Sequence, residues 1–234
     1  MALNDICRLF QVSRDTARRD IVKLTEKGVV VRTHGGIALP LFLHKVQKYT
    51  MRQQNELEAK TRIGKFAVNL VKENELIFLD VSTTVECMIP ALNVEATTVV
   101  TNSIDNAWLL MEKENIETHL LGGVLKSESR HLEGYSTFEK LKDYRFDTVF
   151  LGAAGITDEG IYYCDEPDIY FKRELIKRGE RAVILADHTK FGRYSSFKGL
   201  DFRFIHTIIT DKPPHKELLT TMEHEGVNLI ILQE

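Results

Sequence analysis

Ser82, Thr83 and Thr84 stand together where an apolar run gives way to a helical pattern, within Leu79-Asp80-Val81-Ser82-Thr83-Thr84-Val85-Glu86. Hydroxyls and unpaired N–H groups at a helix start suit an anion such as phosphate. The carboxylate of Asp80 beside them suits sugar hydroxyls. Ordinary capping by Ser82 or Thr83 is the competing reading. Three more apolar runs end in small or polar residues: Thr101-Asn102-Ser103, Leu121-Gly122-Gly123 and Gly152-Ala153-Ala154-Gly155. In open α/β sheets ligands gather outside the carboxyl ends of strands, and glycine lets backbone approach them closely. Singly, each glycine pair reads as a plain turn; together with 80–84 they suggest one site. A third group is Asp165-Glu166 with Lys172, followed by Asp187-His188-Thr189-Lys190-Phe191-Gly192. Lys172 and Lys190 suit a phosphate, while Glu166 and Asp187 suit hydroxyls or the lysines. For Glu166 and Lys172 a surface ion pair competes; Lys190 is better placed, close behind the apolar run 181–187.

A different chemistry is written near the N-terminus, in Ser13-Arg14-Asp15-Thr16-Ala17-Arg18-Arg19-Asp20. On a helix Arg14 and Arg18 project together with Arg19 beside them, and Ser13 and Thr16 sit at the helix start. Guanidinium forks pair with guanine edges or phosphates, and hydroxyls at a helix start suit phosphates. A solvated face with pairs to Asp15 and Asp20 is the alternative. Arg32-Thr33-His34-Gly35-Gly36 weighs toward nucleic acid, because a basic hairpin tip reaches an adjacent groove or phosphate.

The elements that must carry these residues follow from periodicity. Leu3, Ile6, Cys7 and Phe10 make one apolar helical face. A turn at 11–13 leads to a second helix from Arg14 to about Lys27, with Ser13 as N-cap, Ala17, Ile21 and Leu24 inward, and Gly28 as stop. Residues 29–33 and 37–39 form a short hairpin. Helix, turn, helix and hairpin outline a winged helix-turn-helix over 1–40. Residues 41–60 read as a polar linker that becomes helical near Glu56. From 61 to 234, short apolar strands alternate with amphipathic helices, which implies a parallel sheet covered on both faces. Trp108 and the aromatics at 144, 146, 170 and 171 have core-like spacing.

Composition agrees with two unlike parts. The 234 residues carry a formal charge of −3, but residues 1–60 hold eleven Lys/Arg against six Asp/Glu, and the remainder twenty against twenty-eight. A basic front on an acidic body suggests a polyanion-binding module ahead of a different domain. Three cysteines without a CxxC pair argue against a disulfide framework or a cysteine zinc site. No apolar run reaches roughly 18 residues and no signal pattern opens the chain, so a soluble, cytoplasmic protein without membrane contact is expected. There is no GxxxxGK[ST], GxGxxG or HExxH, so no cofactor and no metal are expected.

The stretch SRDTARRDIVKLTEKGVVVRTHGGIAL (13–39) resembles the DNA-binding domain of the DeoR family of bacterial repressors of sugar metabolism, with both RRD and R-x-HGG present. The second half resembles that family's sensor domain, a Rossmann-like fold similar to ribose-phosphate isomerases. In the family pattern D-x-[GS]-T-T is the sugar-phosphate loop and A-D-x-[ST]-K-x-G a second site element; here they are Asp80–Thr84 and Ala186–Gly192. Family members usually carry a further helix ahead of the segment beginning at Ala2. The winged helix-turn-helix therefore reads as truncated, with helices 2–10 and 14–27 short of a packing partner.

The resemblance implies an α/β protein that represses carbohydrate genes. Operator DNA would be held through Ser13, Arg14, Thr16, Arg18, Arg19, Arg32 and His34. A phosphorylated sugar would be held through Asp80, Ser82, Thr83, Thr84, Thr101, Asn102, Gly122, Gly123, Gly152, Glu166, Lys172, Asp187 and Lys190. A homo-oligomer is expected, since one small module reads too few bases for a genome. The other class of function is a sugar-phosphate isomerase using Glu166, Asp80 or Asp187 for proton transfer. Fold alone does not establish such activity, and no catalytic residue is assigned. Neither the sugar nor the operator is named by these residues.

Overall fold

A computed structural model describes residues 2–26, 30–33, 36–38 and 49–232. The chain divides into two compact units, Met1–Lys45 and Val46–Glu234.

The first unit holds α1 (Leu3–Phe10), α2 (Arg14–Glu26) and an antiparallel hairpin of β1 (Val31–Thr33) and β2 (Gly36–Ala38). Gln11 takes a left-handed conformation at the end of α1. Ser13 then opens α2, its Oγ accepting from the Thr16 N–H at 3.1 Å. The core is narrow: Ile6, Ala17 and Ile21 are buried, with Leu3, Cys7, Val12 and Ile37 packed around them. Phe10 and Leu24, expected inward, are exposed. Among the described residues the buried cluster of α1 and α2 consists of Ile6, Ala17 and Ile21, and Phe10 and Leu24 lie outside it. His34, Gly28 and the linker residues 41–48 lie outside the described residues.

The second unit begins with α3 (Tyr49–Gln54) and α4 (Leu57–Ala67). Helix thus starts at Tyr49 rather than near Glu56, and Glu56, left-handed at φ 52°, is the break between two helices. Then follow β3 (Leu76–Leu79), α5 (Thr83–Glu86), β4 (Thr97–Thr101), α6 (Ile104–Leu110) and β5 (Ile116–Leu120). A hairpin of β6 (Val124–Lys126) and β7 (His131–Glu133) leads into α7 (Tyr135–Leu141) and β8 (Phe146–Leu151). Next come β9 (Gly155–Thr157), β10 (Gly160–Tyr163), α8 (Glu166–Arg178), β11 (Gly179–Leu185), β12 (Phe197–Leu200), β13 (Thr207–Thr210), α9 (Lys216–His224) and β14 (Asn228–Ile231).

Seven strands form one parallel sheet in the order β14-β13-β11-β8-β3-β4-β5. Strands β9, β10 and β12 make a separate antiparallel sheet. Alternate residues of each central strand enter opposite cores. Ile77, Leu79, Val99, Phe150 and Val183 pack with Ile63 and Ala67 of α4. Phe78, Val100, Val149, Leu151 and Ile184 pack with Leu175 of α8 and Leu218 of α9. Burial on both faces explains the nearly unbroken apolar strands. From β3 the chain first builds outward through β4 and β5, then returns to the other side of β3 with β8. The order therefore reverses between β3 and β8, where open α/β sheets bind ligands outside the carboxyl ends of their strands. Among the described residues no helix is long and apolar enough to cross a membrane.

Two of the aromatics with core-like spacing are not in the core. Trp108 and Tyr170 are 67% and 57% exposed, whereas Phe146 and Phe171 are buried. A helix that covers a sheet buries only one stripe, and these two side chains lie off the stripes of α6 and α8.

Candidate functional site

Asp80 follows β3 and Gly152 follows β8, at the point where the strand order reverses. Asp80 is 2% exposed, and its carboxylate is fully engaged. One oxygen accepts from the Gly152 N–H at 3.1 Å; the other accepts from the Val81 N–H and from Lys172 Nζ. Lys172 is itself buried and lies 2.9 Å from Asp168, one helical turn earlier on α8. Burial pulls the Lys172 pKa down, but Asp168 and Asp80 together outweigh it and hold the ammonium above the ordinary lysine value. The Lys172 partners are therefore Asp80 and Asp168, not Glu166, which is exposed at the start of α8. The buried Asp80–Lys172 pair, joined by the partly exposed Asp168 into a triad, fastens β3 to β8 and α8.

Outside the two strand ends lies a cleft of about 350 Å³, within the range of small-molecule sites. Of the expected residues, Asp80, Ser82, Asn102 and Gly152 line it. Gly152 is required by close approach: a Cβ there would stand 2.4 Å from Ser82 Oγ. Ser82 caps the four-residue α5, its Oγ within reach of the Thr84 and Val85 N–H groups.

The remaining expected residues are not among those lining the cleft, and most have structural work. Thr83 and Thr84 are buried in α5. Thr101 donates to the Leu79 carbonyl at 2.7 Å. Thr137 Oγ1 donates to the Gly122 carbonyl at 2.7 Å, and a Cβ on Gly123 would meet that same oxygen at 2.1 Å, so this glycine pair seats α7 against β5. Asp187 caps the turn 188–190 through the Thr189 N–H, with Lys190 Nζ 3.8 Å away.

Asp165 of the third sequence group also lines the cleft, while several other lining residues carried no signal of a site in the sequence: Arg52 of α3, His131 and Glu133 of β7, Tyr163 of β10, Cys164, Asp168 and Tyr170. Asp168–Lys172 has the i,i+4 spacing that pairs side chains along a helix; the others come from elements that only the fold brings together. Three cleft residues, one of them expected, bear on function. Asn102 donates to the Leu132 carbonyl at 3.0 Å, yet its Oδ1 is buried without a hydrogen-bond partner among the described residues. Tyr163 Oη and His131 Nδ1 are buried and unpaired in the same way. Native interiors leave few polar atoms in this condition.

In the first unit Ser13, Arg14, Thr16, Arg18 and Arg19 are all exposed. Ser13 and Thr16 bond each other at 2.9 Å, Arg14 donates to Asn4 Oδ1 of α1 at 2.6 Å, and Arg18 stands 3.9 Å from Asp15. Arg14 thus ties the two helices together, while Arg18 and Arg19 present charge to solvent. Arg32 is placed in β1.

A two-helix unit with arginines on its second helix, joined to an α/β unit with a polar cleft at its switch point, defines a ligand-responsive, DNA-binding transcriptional regulator. Residues 1–40 match the DeoR-like helix-turn-helix domain, and residues 55–212 match the DeoR C-terminal sensor domain. The chain belongs to the DeoR family. It is 41% identical to the HTH-type transcriptional repressor GlcR of Bacillus subtilis, over 98% of this chain and 89% of that one. It is 29% identical to the glycerol-3-phosphate regulon repressor of Escherichia coli K12, over 98% of this chain and 91% of that one. These relatives are named as repressors of transcription rather than enzymes. Among solved structures, ribose 5-phosphate isomerase A of Methanocaldococcus jannaschii aligns with a TM-score of 0.43 at 18% identity, over 58% of this chain and 55% of that one.

Proposed function

We propose that the chain represses carbohydrate-metabolism genes and that a phosphorylated sugar bound in the cleft of the second unit sets its affinity for operator DNA. The observation that carries the sensor half is the set of unpaired polar atoms on Asn102, His131 and Tyr163 around one cleft. Each unpaired buried polar group costs about 1–3 kcal/mol. A ligand rich in hydroxyls recovers that cost, whereas an apolar ligand does not. Ser82 and Lys190 lie toward the phosphate. Asp80, Thr83, Thr84, Thr101, Gly122, Gly123, Lys172 and Asp187 act by building the cleft.

In the same reading α2 enters the DNA, with Arg18 and Arg19 as its chief contacts and Ser13, Arg14, Thr16 and the Arg32–His34 hairpin supporting it on phosphates. The DNA-binding domain spans 1–40, and the sensor domain takes in α3 as well as the residues from 61 onward. The regulator acts as a homo-oligomer. Support comes from Trp108, Met111, Leu120, Val124 and Leu125, which are exposed on or beside α6, β5 and β6, close to the open edge of the sheet.

A thermal-unfolding screen of the full chain against phosphorylated sugars and their unphosphorylated forms tests the sensor assignment, because a ligand of the native state raises its stability. At least one phosphorylated sugar is expected to stabilise the chain more than its parent sugar. A panel without any such pair would refute the reading.

A further inference from the structure

The cleft has a cationic end that neither the helix start at α5 nor the lysine motif at 187–192 accounts for. Arg52 of α3 lines the cleft. Its guanidinium lies over the Tyr49 ring, 5.1 Å from the centroid, and its Nε is buried without a hydrogen-bond partner among the described residues. Lys60, 2% exposed, donates its Nζ to the Arg52 carbonyl. Lys190 Nζ lies 3.8 Å from Asp187, and the charge of Arg52, a residue of the cleft wall, acts on it. Burial depresses the pKa of Lys60 and of Lys190, and the neighbouring cations depress both further.

Among the described residues Asp187 is the carboxylate that acts on both Lys60 and Lys190, and Glu86, held by Tyr49 and Gln53, stands beside Arg52. Asp187 is fully buried, and its Oδ2 has no hydrogen-bond partner among the described residues. The acids that line the cleft are engaged elsewhere or lie in solvent. Asp80 and Asp168 hold Lys172, Glu133 holds Lys126 at 2.9 Å, and Asp165 is exposed. Arg52, Lys60 and Lys190, with Arg193 beside Lys190, outnumber Asp187 and Glu86 and leave a positive excess beside a polar cavity. Burying such charge is costly unless it is paired.

Building on the phosphosugar reading, we propose that Arg52, backed by Lys60 and Lys190, is the principal phosphate-binding residue of the cleft. The ligand group is a phosphate or phosphomonoester dianion. The guanidinium supplies the fork that phosphate oxygens accept from, and the two lysines supply the field behind it. The Ser82 loop is the weaker partner, since Ser82 Oγ already faces the N–H groups of α5. Arg52 also belongs to the first helix of the sensor unit. Tyr49 and Gln53 fasten that helix to Glu86 at 2.5 and 2.9 Å, so a phosphate on Arg52 acts directly on the element that receives the chain from the DNA-binding unit.

Thermal unfolding of the full chain, titrated with inorganic phosphate at constant ionic strength, tests this. Phosphate should stabilise the wild type beyond matched chloride. Arg52→Gln should weaken the apparent affinity roughly ten-fold or more, the scale of one lost charge-assisted contact. Lys190→Gln should also weaken it, Arg52→Lys should retain part of it, and Arg203→Gln, whose cation packs on Phe204, should match the wild type. Unfolding without phosphate reports whether Arg52→Gln still folds; if it does not, Lys190→Gln carries the test. The proposal falls if both glutamine variants follow the wild-type titration, or if phosphate does no more than chloride. A sugar phosphate that stabilises the wild type and Arg52→Gln equally would leave the sensor reading standing and remove Arg52 from it. If no sugar phosphate stabilises the wild type, both fall.

Discussion

Replacing Asp80 with asparagine keeps shape and removes a buried charge. In the native unit its carboxylate accepts from Lys172 Nζ, from Gly152 N–H at 3.1 Å and from Val81 N–H at 2.6 Å. The amide accepts through one oxygen only, so either the Gly152 contact or the Val81 and Lys172 contacts are lost, and Asp168 is left as the charged partner of Lys172. Removing one partner of a buried ion pair costs about 3–5 kcal/mol. Asp168 remains 2.9 Å from the ammonium, which places the expected loss near the lower end, about 3 kcal/mol. For a unit of this size each kcal/mol moves Tm by roughly 2–4 °C, so Asp80→Asn should melt roughly 6–12 °C lower. Adding Lys172→Met removes the stranded charge and should recover most of that loss. Sugar-phosphate affinity should fall in Asp80→Asn, because Gly152 and Val81, both in the cleft wall, no longer share one carboxylate. Urea and thermal unfolding of the wild type and the two variants make the comparison. If Asp80→Asn lies within about 1 kcal/mol of wild type, the triad does not hold β3 to β8, and Asp80 would have to act on the ligand directly.

Tyr163→Phe removes an unpaired buried hydroxyl, so stability should hold or rise slightly while sugar-phosphate affinity falls roughly ten-fold, the worth of one hydrogen bond, as read by calorimetry. Burial depresses the pKa of Lys60 and Lys190, so between those values and the ordinary lysine range the unfolded chain binds more protons. Stability should therefore rise with pH across that window, and the rise should flatten in Lys60→Met and Lys190→Met measured by urea unfolding at stepped pH. In gel-shift titrations on the operator, Arg18→Ala and Arg19→Ala should each cost ~1–3 kcal/mol. A base contact shows as relaxed specificity at one position, and a phosphate contact as a salt slope flattened by roughly one unit.

The sheet was legible because both of its faces are buried. Runs such as ELIFLDV and DTVFLG have no polar face to confuse with a loop, and the strand ends after β3 and β8 follow directly from them. Cleft residues Asp80, Ser82, Asn102 and Gly152 were found for the same reason, all being polar or small residues just past the end of a strand. What the pattern hid was the opposite wall. The β6–β7 hairpin and α7 come from a polar stretch, 124–141, without either periodicity, and they bring His131 and Glu133 to the cleft. Arg52 was lost in a segment that read as a linker, because α3 is only six residues long and owes its place to Tyr49 and Gln53 bonding Glu86. Thr101, Gly122 and Gly123 look like ligand residues in sequence because close packing and ligand approach both select small or hydroxyl side chains. Only the contacts to Leu79 and Thr137 separate the two uses.

The central claim joins two activities, operator binding and sensing, through one small molecule. Fluorescence anisotropy of a labelled operator fragment, titrated with the full chain with and without a sugar phosphate identified by thermal shift, measures that link. The account predicts that the sugar phosphate changes operator affinity in the wild type and that DNA changes sugar-phosphate affinity by the same factor. It also predicts that Tyr163→Phe shifts the response to higher ligand concentration. Operator affinity that stays the same at saturating sugar phosphate would contradict it.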